Sequence, residues 1–218
     1  MDKIITNTPA NKEKKFSDMV IPRILNYLKV VQQLERENKA TILSEELSKM
    51  TNISAVLIRK DLANFGKFGQ PGTGYDVSRL KKYLLGIIGG KEMCNLALVG
   101  VGNLGSALLN YKGFEEEGLK FVAAFDKENG KVGKICGNVI VEHIDNMNES
   151  IKKNNVNIGI IAVPQASAQE VADKFIKAKV YSILNFAHMA ISVPQEVTLR
   201  NVDLAIELRA LRYFSVNK

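Results

Sequence analysis

The stretch Asn95-Leu-Ala-Leu-Val-Gly100-Val-Gly-Asn-Leu-Gly105 decides the fold of this 218-residue chain. An apolar run of strand character leads into glycines at 100, 102 and 105, and a helical pattern follows them. Phe121-Val-Ala-Ala-Phe-Asp126 is the next strand pattern, and it ends on an acid 21 residues past Gly105. That is the layout of a dinucleotide-binding unit, strand, glycine turn, helix and strand. Gly100 allows the tight turn, Gly102 lets backbone approach a pyrophosphate, and Gly105 lets the helix pack close to the strand. The helix start, at Asn103 and Leu104, presents free N–H groups to phosphates. Asp126 is placed to accept ribose hydroxyls, and a carboxylate there repels a 2′-phosphate, so NAD(H) is favoured over its phosphorylated form. The same turn serves Rossmann-like domains that hold coenzyme A or adenosyl groups, so the motif alone leaves these open.

Beyond Asp126 the alternation continues. The pattern predicts a short strand at 139–141, a helix at 144–153, a buried strand at 156–163 ending at Pro164, a helix at 166–179 and a strand at 180–186. Such alternation implies an α/β fold, a doubly wound parallel sheet of Rossmann type with ligands at the carboxyl ends of its strands.

Charge separates the two ends of the chain. Residues 1–85 carry 15 Lys and Arg against 9 Asp and Glu, while residues 86–218 carry 15 against 14, so nearly all of the net +7 lies in the first part. A basic segment joined to a near-neutral nucleotide domain points to a polyanion partner. Met1 to Lys15 is charged rather than apolar, and no apolar run approaches the roughly 20 residues of a membrane span, so a cytoplasmic protein without a membrane segment is expected. Cys94 and Cys136 form no CxxC or Cys/His spacing, which gives neither a metal site nor a disulfide framework.

Within the basic part, Val20, Ile24, Tyr27, Leu28, Val31 and Leu34 recur at helical spacing, with Ser17 or Asp18 as N-cap and the helix ending near Asn38. Ser44 is expected to cap a second, short helix, and Ser54 a third running to about Phe65. On the third, Ala55, Ile58, Leu62 and Phe65 share one face. Arg59, Lys60, Ala63 and Asn64 fall on or near the other. Two short helices with that division suggest a helix-turn-helix whose second helix reads DNA, Arg and Lys reaching guanine edges or phosphates and Asn an adenine edge. Gly66 to Tyr75, rich in glycine, fits a small wing with Lys67 and Gln70 along the backbone or minor groove. An ordinary three-helix subdomain with a glycine loop has the same pattern. The candidate DNA contacts are thus Ser54, Arg59, Lys60, Asn64, Lys67 and Gln70. A linking helix at 77–88 and the boundary Gly89-Gly90-Lys91 follow.

The last segment, 201–214, aligns Leu204, Leu208 and Leu211 in one stripe, but Ile206, Tyr213 and Phe214 spread apolar surface around it. A helix sticky on more than one side calls for cover, and a dimer supplies it as readily as packing within one subunit.

Taken together, these stretches resemble the redox-sensing transcriptional repressor family Rex. The resemblance is carried by Ile58-Arg-Lys-Asp-Leu-Ala-Asn-Phe-Gly-Lys-Phe-Gly69 with Gly72-Thr-Gly-Tyr75, by Gly100 to Tyr111, and by Ala123-Ala-Phe-Asp126. Val163-Pro164 with Ala168-Gln169, Ile183 to Ala187, and Asn201 to Ala205 complete it. It implies a winged-helix DNA-binding domain at 1–88, a Rossmann NAD(H)-binding domain at 89–200 and a swapped dimerisation helix at 201–218. It also implies a homodimer that represses from a palindromic operator while NAD+ prevails and leaves it when NADH binds. Carried over by position, Gly100, Val101, Gly102, Asn103, Leu104 and Gly105 hold the pyrophosphate, Asp126 the ribose, and Arg59, Lys60 and Lys67 the DNA, while Tyr111 and Phe186 lie near the nicotinamide and the subunit interface. Two positions depart from the family pattern: His188 stands where proline is usual, and Arg209 where glutamine is frequent.

No enzyme is expected. A dehydrogenase needs a positioned proton donor, and the two histidines, His143 and His188, have no paired acid or substrate domain with them in the sequence. His143 reads as a surface residue in a loop, and a coenzyme A-binding module is opposed by the basic helix-turn-helix.

Overall fold

The computed structural model describes residues 19–64, 69–70, 73–88 and 93–216. The chain divides into two compact units, Met1–Gly90 and Lys91–Lys218, each with its own buried apolar cluster.

The first unit runs α1 (Val20–Arg36), β1 (Thr41–Ile42), α2 (Ser44–Thr51), α3 (Ala55–Ala63), β2 (Gly69–Gln70), β3 (Gly74–Asp76) and α4 (Val77–Ile88). Ile24, Tyr27, Val31 and Leu34 line the inner face of α1 and meet Leu47, Ile58, Leu62, Leu80 and Leu84 from the other helices. The strands form an antiparallel sheet in the order β1-β3-β2, so the described parts of the glycine-rich segment, Gly69–Gln70 and Gly74–Tyr75, belong to a three-stranded wing. β1 escaped the sequence reading because two residues carry no alternation. Asn52 closes α2 in the left-handed region at φ +56°, and the turn to α3 follows.

One helix start departs from expectation, and two expected helix limits lie outside the described residues. α1 is preceded by Met19, and Ser17 and Asp18 lie outside the described residues. In α2 the residue before the helix is Leu43, and Ser44 is its first helical position. Glu46 accepts the Leu43 N–H at 3.0 Å, so the acid three residues on reaches back to the amide that precedes the helix, and no side-chain oxygen of Ser44 caps it. Ser54 does cap α3, accepting the Leu57 N–H at 3.3 Å. α3 ends at Ala63, and Phe65 lies outside the described residues.

The helical wheel did not foresee Asp61, 3 % exposed beside Ile58 and Leu62. Arg23 grips it with two donors, Nε to Oδ2 and Nη2 to Oδ1, both at 2.7 Å. The Tyr27 hydroxyl donates to Oδ2 at 2.9 Å. Burial alone pushes the Asp61 carboxyl up, but the Arg23 and Tyr27 bonds outweigh it and hold the group below its ordinary value.

The second unit opens with β4 (Cys94–Val99), α5 (Asn103–Asn110), α6 (Gly113–Glu116), β5 (Leu119–Asp126), β6 (Ile135–Cys136) and β7 (Val139–His143). After a 3-10 turn at 144–146 come α7 (Met147–Lys153), β8 (Ile158–Ile161), α8 (Gln165–Lys177), β9 (Ser182–Asn185), β10 (Thr198–Asn201) and α9 (Leu204–Val216). The seven strands lie in the order β10-β9-β8-β4-β5-β7-β6. All neighbours pair in parallel except β6 with β7. Along β4, Ala97 and Val99 join a cluster with Met147, Ile151, Ala168, Val171 and Phe175 on one face. Leu96 and Leu98 join one with Leu109 and Phe114 on the other. Alternation sends successive side chains to opposite faces, so helices cover both and the sheet is doubly wound. The chain order reverses at β4, whose neighbours are β5 and β8, and a crevice at the carboxyl ends is the ligand position of such sheets.

β6 and β10 were not expected. β10 takes Asn201 from the expected terminal helix, which begins instead at Leu204. The helix at 144–153 is shortened by the 3-10 turn. His143 is the last residue of β7 rather than part of a loop and pairs with Asp145 at 3.2 Å. α9 has no buried residue, and Leu204, Ile206, Leu208, Leu211, Tyr213, Phe214 and Val216 are all more than half exposed.

Replacing Asp61 with Ala is expected to cost about 2–4 kcal/mol of stability, because the Arg23 guanidinium and the Tyr27 hydroxyl lose their partner in a largely buried site. Urea unfolding of parent and variant measures it. Asp61 is depressed on folding, so its contribution is present above the ordinary carboxylate value near ~4 and is lost as pH falls through the lower folded value. The gap between the two proteins should therefore narrow in acid.

Candidate nucleotide site and DNA interface

The carboxyl end of β4 turns at Gly100, whose φ is +102°, and a Cβ there would lie 2.4 Å from the Ala162 carbonyl oxygen beyond β8. At Gly105 a Cβ would lie 2.0 Å from the Gly100 oxygen. No side chain fits either gap, so α5 crosses its strand at glycine distance. Gly102 is different. Its φ is −86° and a Cβ would meet nothing within 4 Å. The fold makes no demand for glycine there, and the open side faces the start of α5, where no side chain caps the helix. The amides of Asn103, Leu104 and Gly105 have no partner one turn earlier in the helix, and with the helix dipole they form an anion cradle. Gly102, Asn103 and Leu104 are exposed and Val101 is buried.

Asp126 ends β5 beside this loop and is 7 % exposed. Its Oδ2 accepts the Val101 N–H at 2.8 Å and the Lys131 ammonium at 3.2 Å, and its Oδ1 accepts the Glu128 N–H at 3.0 Å. Burial pushes the carboxyl up, but the two amides and Lys131 outweigh it and keep it below its ordinary value. A carboxylate offers about four acceptor positions, and three are used. Two ribose hydroxyls can both be accepted here once Lys131 gives way. Sequence reasoning missed Lys131, which puts a cation beside the acid that was expected to reject a 2′-phosphate by itself.

Phe186 follows β9 at its carboxyl end, half-buried, with its N–H donated to Ile161 at 2.9 Å. The segment after it is pinned by amide side chains. Asn185, fully buried, donates to the Ala187 and Met189 oxygens and to Asn201 Oδ1, and accepts the Ala187 N–H. Gln165 holds the His188 oxygen, and Gln169 exchanges two bonds with Ser192. Tyr111 does not join this group. It closes the far end of α5, about 12 Å of helix from the glycine loop, and packs edge-on against Phe114 at 5.0 Å, 62 % exposed. His188 pairs with Asp203 at 3.1 Å, and the same Asp203 oxygen caps α9 at Ala205 and Ile206.

In the first unit Arg59, Lys60 and Asn64 are exposed along α3, as is Ser54 at its start. Arg59 is held by Ser44 and Glu45 of α2, each at 2.7 Å. Lys67 lies outside the described residues. Gln70 pairs in the wing with Gly74 through its backbone. Among the described residues no cluster of His, Cys, Asp and Glu could hold a metal ion, and no helix is long and apolar enough to cross a membrane.

Against known proteins, residues 15–63 match the family described as putative DNA-binding protein N-terminus, and residues 91–189 the family described as CoA binding domain. The redox-sensing transcriptional repressor Rex of Desulfitobacterium hafniense is 42 % identical over 202 residues, which is 93 % of this chain and 96 % of that protein. A solved structure of RSP in complex with beta-NAD+ and operator DNA superposes with a TM-score of 0.85 at 35 % identity and covers 91 % of both chains. RSP in complex with beta-NADH gives 0.82 at 33 %, covering 92 % of this chain and 94 % of that one.

The glycines predict two separable defects. Gly105→Ala should cost about 1–3 kcal/mol of stability through overpacking. Gly102→Ala should leave the thermal midpoint nearly unchanged while weakening dinucleotide binding by about tenfold, the loss of one hydrogen bond to a charged group. Calorimetric titration beside thermal unfolding separates the two.

Proposed function

The chain belongs to the Rex family of redox-sensing transcriptional repressors, and on that premise we propose how its residues divide the work. The protein is a regulator and not an enzyme: it represses transcription from operator DNA and responds to the NADH/NAD+ balance. The loop Gly100–Gly105 and the α5 amides take the pyrophosphate, and Asp126 takes the adenosine ribose with Lys131 displaced. The observation that carries this assignment is the open space at Gly102 above an uncapped helix start, a glycine for which the fold itself has no need. A coenzyme A module is a weaker reading, because its ribose carries a phosphate that the buried Asp126 carboxylate disfavours.

Phe186 senses the redox state. The oxidised nicotinamide ring is cationic and the reduced ring neutral, so an apolar wall at the carboxyl end of β9 favours the reduced form. The bonds of Asn185, Gln165 and Gln169 keep that wall in place. Differential affinity for two dimer arrangements is all that release from DNA requires. Tyr111, at the far end of α5, serves the subunit interface rather than the phosphate site of its own chain.

Two copies associate through α9, whose apolar surface is uncovered within one chain, and Asp203 with His188 fixes the start of that helix. The departure from proline at 188 thus gives the Asp203 carboxylate an imidazole partner at the start of the helix. Each copy presents α3 to one half of a palindrome, with Arg59, Lys60 and Asn64 toward the bases and phosphates, and Ser54, Lys67 and Gln70 along the backbone. Half-sites about one helical turn of DNA apart suit such a dimer. The protein works in the cytoplasm, where both operator and dinucleotide are found.

A gel-shift titration of operator DNA at fixed salt tests the reading: NADH should release the protein and NAD+ should not. Phe186→Ala should bind NAD+ and NADH with more similar affinity, still bind operator, and be released poorly by NADH. Retention of the parent preference together with normal release would remove Phe186 from the mechanism.

A further inference from the structure

We infer that Glu45, with Ser44, is a positioning residue for DNA recognition: it tethers one nitrogen of Arg59 so that the remaining two-donor edge of the guanidinium is set for a guanine. The inference rests on the reading of α3 as the helix that enters the major groove.

Both hydrogens of Arg59 Nη1 are used, one on Ser44 Oγ and one on Glu45 Oε1, each at 2.7 Å. The Ser44 hydroxyl in turn donates to Glu45 Oε2 at 3.0 Å, which closes a ring of three side chains across α2 and α3. Among the described residues Arg59 Nε and Nη2 have no hydrogen-bond partner. These two nitrogens form the same edge with which Arg23 grips both oxygens of Asp61. Arg23 thus spends its side-on fork on the core, and Arg59 keeps its own free. A fork of that spacing matches the O6 and N7 acceptors of guanine.

An exposed ion pair adds little to stability. Glu45 and Arg59 are 63 % and 48 % exposed at their side chains, so this pair is poorly explained as a stabilising contact. A carboxylate on the reading face also repels DNA phosphates, which is a cost unless it does something else there. What it does is remove rotamer freedom from Arg59 before binding, so less is lost when the fork meets its base. Tyr75 of β3 belongs to the same neighbourhood. Burial raises its hydroxyl, Arg59 opposes that rise and Glu45 adds to it. Residues of both helices and of the wing thus share one electrostatic neighbourhood.

The test separates tether from charge. Glu45→Ala removes both, whereas Glu45→Gln removes the charge and keeps an oxygen that can accept from Nη1. An operator is selected from random duplexes with the parent protein, and each guanine is replaced in turn by 7-deazaguanine, which lacks the N7 acceptor. Full-length parent should lose about tenfold in affinity at one guanine per half-site. Arg59→Ala should show no loss at that guanine. Glu45→Ala should lose only about twofold there, and Glu45→Gln should recover most of the parent response. Both Glu45 variants should bind scrambled DNA more tightly, by similar amounts, because both lose the repelling charge. If Glu45→Ala discriminates as the parent does, or if Ala and Gln fail alike, the positioning role is overturned while the reading of α3 stands. If Arg59→Ala keeps the parent response to every 7-deazaguanine, the reading of α3 falls, and the inference with it.

Discussion

The absence of a side chain at Gly105 is the constraint on which the nucleotide-binding half depends. A single methyl group there would sit inside the Gly100 carbonyl oxygen, so α5 can cross β4 closely only with hydrogen at that position. Gly100 makes the matching approach to the chain beyond β8. These two contacts bring the start of α5 over the carboxyl end of β4, between β5 and β8, where the sheet changes direction. Asp126 then fastens the loop from the other side through the Val101 amide. The phosphate cradle is therefore a by-product of packing: once helix and strand approach this closely, the free amides of the helix start have a fixed place in the crevice.

The first unit divides its charges between holding the fold and meeting a partner. Asp61 is drawn inward and satisfied by Arg23 and Tyr27, while Lys60 and Asn64, flanking it on the same helix, stay outside. Arg59 lies between the two roles, exposed yet tethered to α2. A helix with an interior ionic anchor is fixed in rotation and in depth, since both oxygens of Asp61 are held. That fixes which residues of α3 can reach a groove.

The far end of the chain shows the opposite economy. Asn185 uses its amide to bind the segment after β9 and the neighbouring strand together, and Asp203 starts α9 with two capping bonds. The helix thus begins with a defined direction and then exposes apolar side chains along its length. Exposed contiguous apolar surface marks an association site, which is why the ordering of its first turn matters for how two copies meet.

Much of this was legible in residue spacing. The glycine pattern, the acid after the second strand, the alternation of strands and helices, and the Ser54 cap are local features, and local sterics and hydrogen bonding decide them. Ile58 and Leu62 turned inward because the 3.6-residue period leaves little choice. The rest depended on residues distant in sequence. β1, β6 and β10 are 2–4 residues long, too short to show a period, and exist because a neighbouring strand offers its edge. Asp61 reads as a surface charge until Arg23, 38 residues earlier, is folded against it. Lys131 reads as a loop lysine until the turn after β5 returns it to Asp126. The sequence by itself determined the longer elements and the class of ligand their turns can hold. Only the tertiary structure decided which charges are buried, tethered or left free, because the energy of a charge is set by its surroundings and not by its neighbours in the chain.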